Sequence, residues 1–167
     1  MEAADYFRMI RDIPYRIPFS NEEADHCCNG KTILLKAILE QGGLQVRPRF
    51  CEFKWSDLEN LPESVRTVPH ENETGHIYLE QKMGRLWYVV DATWDYQLRG
   101  VLPVNEWTQE RKSMQIAVPP GKIYSPKASL ELFLEEDESP EEDSDTPFYA
   151  AFNEWLGRVR KKRISSR

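Results

Sequence analysis

Residues 24–44 read ADHCCNGKTILLKAILEQGGL, and they predict the helix around which the rest of the chain is arranged. Asp25 is placed to cap the start of this helix, and the Gly-Gly pair supplies its C-terminal stop. Apolar residues recur between them at helical spacing and predict a broad core-facing surface, formed by Ile33, Leu34, Leu35, Ile38 and Leu39. Two adjacent cysteines, Cys27 and Cys28, stand where the helix begins, so its first turn carries a thiol.

Shorter elements flank this helix on both sides. Alternating apolar residues and β-branched or aromatic runs predict strands, and spacings of three and four predict helices. In chain order we predict a helix at 2–11, a strand at 44–55, a helical turn at 56–60, a loop at 66–74, a hairpin formed by HIYLEQ and RLWYVVDAT, a strand at 114–118, a helix at 127–134 and a helix beginning at Thr146. The mixture predicts an α+β fold, with the cysteine-bearing helix packed on an antiparallel sheet or small barrel.

The length of 167 residues suits one domain, since a chain of this size buries about 68–70% of the surface that its unfolded form exposes. We assign residues 1–134 to the domain itself. Residues 135–145 (EEDESPEEDSD) form an acidic, low-complexity segment that we expect to be flexible. Residues 146–167 form an amphipathic helix with a basic tail, which we expect to dock on the same domain.

The net charge of −6 arises from the acidic segment, which holds eight of the 28 acidic residues. Six basic residues crowd the C-terminus, and we interpret them as a solvated helix end rather than a nucleic-acid site. The sequence has neither a secretory h-region nor an apolar run of about 18 residues, so we expect no membrane association. Three cysteines, an odd number, indicate free thiols in a reducing compartment and a cytoplasmic protein. The oligomeric state stays open.

The predicted hairpin brings a histidine and an aspartate together. If its loop is centred on Met83-Gly84, His76 and Asp91 lie directly opposite each other on one face, with Cβ atoms about 4.5–5.5 Å apart. An aspartate that accepts a hydrogen bond from imidazole orients the base of a nucleophile–base–acid triad. A cysteine in the first turn of a helix is a suitable nucleophile. The same pair can equally be a structural hydrogen bond, and such a cysteine can be a small core residue.

Three motifs, CNGKTILLKAILEQGGLQVRPRF, GHIYLE and LWYVVDATWD, occur in the order and at the separations of a known superfamily. The chain resembles the transglutaminase-like superfamily, distant relatives of the papain-like cysteine peptidases, over roughly residues 5–105. Cys28 and Lys31 keep the family spacing of Cys to Lys, and Cys27 does not. The resemblance therefore implies a transglutaminase-like/papain-like fold with Cys28 as nucleophile.

The resemblance also assigns the other two members of the triad. His76 falls on the family histidine, and Asp91, in the run Asp91-Ala92-Thr93, falls on the family aspartate. The cysteine doublet and Ala92, where many members have proline, depart from the family pattern. Asn21 is a candidate oxyanion donor, by analogy with an upstream glutamine of papain-like enzymes, although a loop asparagine is also ordinary turn chemistry.

Other constellations carry weaker hypotheses. Soft ligands that would suit zinc are His26, Cys27, Cys28, Cys51, His70 and His76. None shows a clamp spacing, so we expect no metal and no cofactor. Asp95 is an alternative partner for the histidine. Trp87 and Trp94 either wall an acyl-binding cleft or are core aromatics.

These observations predict a cysteine-dependent acyl-transfer enzyme that hydrolyses an amide or peptide bond, with a peptide or protein as substrate. An amine acceptor would instead make it a transglutaminase or acyltransferase. A non-catalytic protein-binding module that retains the fold is the alternative from another class. The acidic segment at 135–145 could also cover the cleft as an autoinhibitory segment.

Overall fold

The computed structural model describes residues 2–107, 113–135 and 144–166. These form a mixed α/β structure with five helices and one open antiparallel sheet of three strands. The elements are α1 (Ala3–Arg11), α2 (Cys28–Gln41), β1 (Val46–Lys54), α3 (Glu63–Arg66), β2 (Glu73–Met83), β3 (Leu86–Val90), α4 (Pro126–Leu134) and α5 (Thr146–Ile164). Single 3₁₀ turns occupy Trp55–Asp57 and Tyr96–Leu98. Of the two predicted arrangements, the described residues form the sheet and not the barrel.

Helix α2 begins at Cys28, and Cys27, in an extended conformation, is its N-cap. The predicted cap at Asp25 is wrong: Oδ1 of Asp25 accepts a hydrogen bond of 2.8 Å from the Cys27 N–H, one residue ahead of the helix. The loop crosses the helix closely, since a Cβ on Gly30 would lie 1.9 Å from the Asp25 carbonyl oxygen. The predicted glycine stop is confirmed, with Gly43 at φ +79° just past the end of the helix.

The buried face of α2 differs from the predicted one. Ile33 and Leu34 are 54% and 44% exposed, whereas Lys31 and Thr32 are buried. The helix is turned so that its polar first turn faces inward, towards the sheet. This orientation brings the cysteine end of α2 against β2.

The strand order is β1-β2-β3, so β2 is central and both its faces are largely buried. β1 is an edge strand, which explains why Pro48 is tolerated in it. The predicted strand at 114–118 is wrong: this segment carries no strand, and its Met114 N–H makes a single bond of 3.0 Å to the Val89 carbonyl. Helix α3 starts just before the predicted loop at 66–74, and β2 begins within it.

The β2–β3 hairpin exists, but its predicted register is wrong by two residues. Met83 pairs with Leu86, so the loop is Gly84-Arg85. Gly84 has φ +61°, and a two-residue hairpin loop places such a glycine at its first central position. A shift of two residues leaves every side chain on its predicted face. His76 and Asp91 therefore stay on one face, but as diagonal neighbours rather than directly opposed.

Two apolar clusters lie on opposite faces of the sheet. The first joins α1 and α2 to β2 and β3 and contains Phe7, Ile10, Leu35, Leu39, Leu79, Val90 and Ala92. The larger cluster joins β1 and β2 to α5, which contributes the buried residues Phe148, Phe152, Trp155 and Leu156. Helix α5 packs against the sheet through these four side chains. Of the predicted acidic segment at 135–145, residues 136–143 lie outside the described residues. Within the described part of the chain, no helix has the length and apolarity that crossing a membrane requires.

Candidate active site

Cys28 is the first residue of α2 and is only partly buried. It opens on a cleft of about 1210 Å³ that is also lined by Cys27 and His76. Cys28 is the first helical residue, so its N–H has no partner inside the helix. This N–H belongs to the positive end of the helix dipole. An attacking sulfur and a free backbone donor therefore share one position.

The strand arrangement explains why the thiol meets β2 at this point. β3 ends at Val90, which pairs with Leu79, so the preceding residues of β2 have no strand on that side. The end of α2 fills the gap. Thr32 Oγ1 donates to the Ile77 carbonyl at 3.3 Å, and the Ile77 N–H contributes to lowering the pKa of Cys28. The helix thus continues the hydrogen bonding of the sheet edge through its side chains.

The thiol of Cys28 is acidified by its neighbours. A hydrogen bond from the Cys27 thiol, together with the hydrogen bond and charge of His76 and the Ile77 N–H, holds the pKa of Cys28 well below its ordinary value, although burial opposes this. The same hydrogen bond, with burial and the charges of Cys28 and Asp25, raises the pKa of Cys27 above its ordinary value. Of the adjacent cysteines, Cys28 is the thiolate and Cys27 the donor beside it.

His76 and Asp91 are hydrogen-bonded, with 2.8 Å between Nε2 and Oδ2, and both are 2% exposed. Burial disfavours the imidazolium, but the charge and hydrogen bond of Asp91 and the Cys28 sulfur outweigh it and raise the pKa of His76 to about 10. With Nε2 engaged by Asp91, Nδ1 is the ring nitrogen left for Cys28. The raised pKa of His76 and the lowered pKa of Cys28 both favour the thiolate–imidazolium form of this pair over the neutral thiol and imidazole.

The carboxylate of Asp91 is held by donors on both oxygens. Oδ2 also accepts the Ala117 N–H at 2.8 Å, and Oδ1 accepts the Thr93 N–H at 3.1 Å and the Thr93 hydroxyl at 2.6 Å. Although burial opposes ionisation, His76, Thr93 and Ala117 together keep the pKa of Asp91 below its ordinary value. Asn105 fixes the backbone, since its Nδ2 donates to the Asp91 carbonyl at 2.9 Å. Sequence reasoning identified neither Ala117 nor Asn105, because no motif marks them.

Lys31 connects the nucleophile helix to the aspartate loop. Its side chain is buried, and Nζ donates to the carbonyls of Arg11 and Thr93, each at 2.9 Å. Burial lowers the pKa of Lys31 to about 8. Lys31, the lysine three residues after Cys28, therefore has a structural role: it holds α1, α2 and the Thr93 loop together.

The cleft walls are aromatic and acidic. Trp94 lines the cleft, whereas Trp87 does not and instead stacks under the Arg47 guanidinium at 4.0 Å. Asn21, the predicted oxyanion donor, lies on the cleft wall and is exposed. A Cβ at Gly75, next to His76, would lie 2.2 Å from the Phe50 ring, so this glycine lets an aromatic wall approach the histidine.

Asp95 does not bind His76. Its carboxylate accepts two hydrogen bonds from Arg160, at 2.6 and 3.2 Å, and one from the Tyr15 N–H at 3.0 Å. The alternative assignment of Asp95 as the orienting acid is therefore wrong. Its role is to anchor α5 and the Tyr15 segment to each other.

The zinc hypothesis gains no support from the geometry. His70 stacks on Phe148 at 3.8 Å, and Cys51 is buried in the core, where burial raises its pKa to about 12. His26 pairs through its backbone with Arg16. Within residues 2–107, 113–135 and 144–166, no three His, Cys, Asp or Glu side chains are grouped so that they could hold a metal ion.

No family model, no curated protein and no solved structure matches this chain. The functional assignment therefore depends on the geometry of the site.

Proposed function

We propose that this chain is a transglutaminase-like cysteine enzyme that transfers acyl groups, with hydrolysis of an amide or peptide bond as its reaction. The observation that carries the proposal is the convergence of three groups from separate elements: the sulfur at the start of α2, the imidazole on β2 and the carboxylate just past β3. A His–Asp pair that served only stability would not need a thiolate at its free nitrogen or an open cleft above it.

The proposed reaction has two steps. The Cys28 thiolate attacks the substrate carbonyl carbon and forms a C–S bond, and the C–N bond then breaks as His76 gives its proton to the leaving amine. Water attacks the resulting thioester while His76 takes its proton, and the C–S bond breaks to restore the thiolate. Asp91 holds the imidazole in the correct orientation and stabilises its cationic form throughout. The Cys28 N–H assists by bonding to the oxyanion.

The cleft supports a peptide or protein substrate. It is long enough to be lined by residues from the α1–α2 segment, from β1 and β2 and from the start of α5, and its aromatic walls suit apolar side chains. Three free cysteines fit a reducing compartment such as the cytoplasm.

Alkylation by iodoacetamide across pH tests the nucleophile. We expect the wild-type protein to react at pH 6 at nearly its full rate, because Cys28 is already a thiolate where an ordinary thiol with a pKa of about 8.5 is almost wholly protonated. Cys28→Ala should abolish this reaction. Cys27→Ala should retain it with a higher apparent pKa, since one donor to the thiolate is lost. His76→Ala should move the profile towards that of an ordinary thiol.

A panel of peptide and ester substrates then separates an enzyme from a binding module. Turnover by the wild-type protein that disappears in Cys28→Ala supports catalysis. A protein that alkylates rapidly but turns over none of the panel would favour the binding module with an idle triad. Labelling lost only in Cys27→Ala would reject the assignment of the nucleophile.

Transfer to an amine is the second candidate, and one feature of the cleft favours it. Among the described residues that line the cleft, none is lysine or arginine, whereas Asp25 and Glu23 are present. Glu23 is paired with Arg16, so Asp25 supplies the unbalanced charge beside the cysteines. A cationic amine would be attracted to this wall. Product analysis with and without a diamine distinguishes transfer from hydrolysis.

A further inference from the structure

We propose, building on the acyl-transfer function above, that the hydroxyl of Tyr15 donates a hydrogen bond to the oxyanion that forms when Cys28 attacks a carbonyl carbon. Tyr15 lies in the segment between α1 and α2 and lines the same cleft as Cys28. No sequence motif marks it.

The backbone and ring of Tyr15 are held rigidly. Its N–H donates to Asp95 at 3.0 Å, and its carbonyl accepts from Arg160 at 3.0 Å. The ring packs on Trp94 and Phe152, with centroid separations of 4.6 and 6.2 Å. A donor fixed in this way needs no reorganisation when charge develops, and catalytic electrostatic stabilisation requires such preorganisation.

The hydroxyl of Tyr15 opens on the cleft rather than being closed off in the interior, since Nε of Arg49 is the only fully buried, unpaired side-chain nitrogen or oxygen in the described ranges. The residue is only 5% exposed, and within the described ranges its hydroxyl bonds to no other residue. A hydroxyl that lines a cleft without a protein partner can donate its hydrogen bond to a ligand oxygen in that cleft. The donor is therefore poised for a group that enters from outside the protein.

The Tyr15 hydroxyl shares its cleft with the reacting sulfur, and its surroundings keep its proton in place. Burial raises the pKa of Tyr15 well above its ordinary value, and the negative charges of Cys28 and Asp25 raise it further. The phenol consequently stays protonated through the pH range in which Cys28 is a thiolate. A neutral donor can thus face the new oxyanion while the acid of the site remains His76.

Tyr15 supplies the side-chain donor that accompanies the Cys28 N–H. Asn21, the candidate from the sequence, is exposed, and an exposed amide remains in contact with water. A donor shielded from water acts at a lower local dielectric constant and stabilises developing charge more strongly. The geometry therefore favours Tyr15 over Asn21.

The test compares two reagents on the full-length protein. N-acetyl-phenylalaninal adds reversibly to Cys28: the C–S bond forms, and the C=O electron pair moves to oxygen, which becomes an oxyanion as the adduct forms. Iodoacetamide displaces iodide at a saturated carbon and forms no oxyanion. Aldehyde affinity is measured as protection of Cys28 against iodoacetamide, and iodoacetamide alone measures the thiolate.

We expect Tyr15→Phe to weaken aldehyde protection about tenfold or more and to lower kcat on any substrate of the panel by about 10²–10³, while the rate with iodoacetamide alone changes less than twofold. Phenylalanine keeps the ring contacts, and thermal denaturation checks the fold. Tyr96→Phe is the matched control, because Tyr96 is 40% exposed and lies outside the cleft lining.

Three outcomes would overturn the proposal. Protection could be unchanged in Tyr15→Phe, it could fall only in Asn21→Ala, or the aldehyde could protect neither protein. Equal loss of aldehyde affinity and iodoacetamide rate would also contradict it, since Tyr15 would then act on the thiolate. A wild-type protein with an ordinary, slow thiol would instead reject the proposed function itself.

Discussion

The single proton of His76 controls the state of the site. The imidazolium is stabilised by Asp91, whose carboxylate lies 2.8 Å from Nε2. The hydrogen bond from the Cys27 thiol and this cation together lower the pKa of Cys28, a partly buried thiol. The charge of Asp91 thus raises the pKa of His76, and the charge of His76 in turn lowers the pKa of Cys28.

Asp91→Asn tests this coupling. Without the carboxylate the pKa of His76 falls from about 10, the cation beside Cys28 is lost near neutral pH, and the pKa of Cys28 rises. Iodoacetamide labelling should therefore slow strongly at pH 6 and converge with the wild-type rate above pH 9. Turnover should fall by about 10²–10⁴, the usual contribution of general acid–base catalysis.

Asp57→Asn, at an exposed carboxylate, is the matched control and should change neither measurement. An Asp91→Asn protein with an unchanged labelling profile would show that the aspartate serves stability alone. Denaturation of both variants excludes misfolding as the cause of any change.

At the scale of elements, the start of α2 depends on a close crossing of the preceding loop. A Cβ on Gly30 would lie 1.9 Å from the carbonyl oxygen of Asp25 and 2.7 Å from its carbonyl carbon. These are backbone atoms that cannot rotate away. The crossing holds the loop that carries Cys27 and Asp25 against the helix, and so it orients the thiols.

Gly30→Ala and Gly157→Ala make the same chemical change in two helices, with opposite expected results. Gly30→Ala should destabilise the fold by more than about 2 kcal/mol and slow Cys28 labelling, because the loop must move. Around Gly157, on α5, no atom lies within 4 Å of the added Cβ. Gly157→Ala should therefore stabilise by up to about 1 kcal/mol through helix propensity. Urea denaturation measures both, and a neutral Gly30→Ala would contradict the crossing.

At the scale of the whole molecule, helix α5 supports the side of the cleft that the Tyr15 segment forms. Arg160 on α5 reaches Asp95, which follows β3, and Tyr15, which precedes α2. Three distant segments therefore meet at one partly buried guanidinium. The interpretation of the six basic residues as a solvated helix end is therefore incomplete, because Arg160 is only partly exposed and is bound to Asp95.

Arg160→Gln should destabilise the protein by about 3–5 kcal/mol, because Asp95 would stay buried without its cation. Asp95 is 1% exposed. Arg158, two residues before Arg160, forms an exposed ion pair with Glu154. Breaking this pair by Arg158→Gln should cost less than about 0.5 kcal/mol. Urea denaturation of the two variants compares them directly, and equal losses would show that the contact with Asp95 contributes little.

The sequence by itself determined the features that depend on local periodicity. Helical spacing located α2 and put Cys28 at its start, and strand alternation put His76 and Asp91 on one face. The hairpin register was also within reach, since a glycine at the first loop position follows from turn chemistry. Local patterns suffice here because they reflect bonds between residues close in the chain.

Only the tertiary structure decided what depends on distant segments. Leu34 and Leu35 are equally apolar neighbours, yet they are 44% and 1% exposed, because packing against β2 selects the buried face of α2. The Ala117 N–H bonds to Asp91, which is 26 residues away in the chain. Tyr15 lines the cleft and is anchored there by Asp95, which is 80 residues away. Such contacts are chosen by the packing of the whole molecule, and no repeat or motif within one segment encodes them.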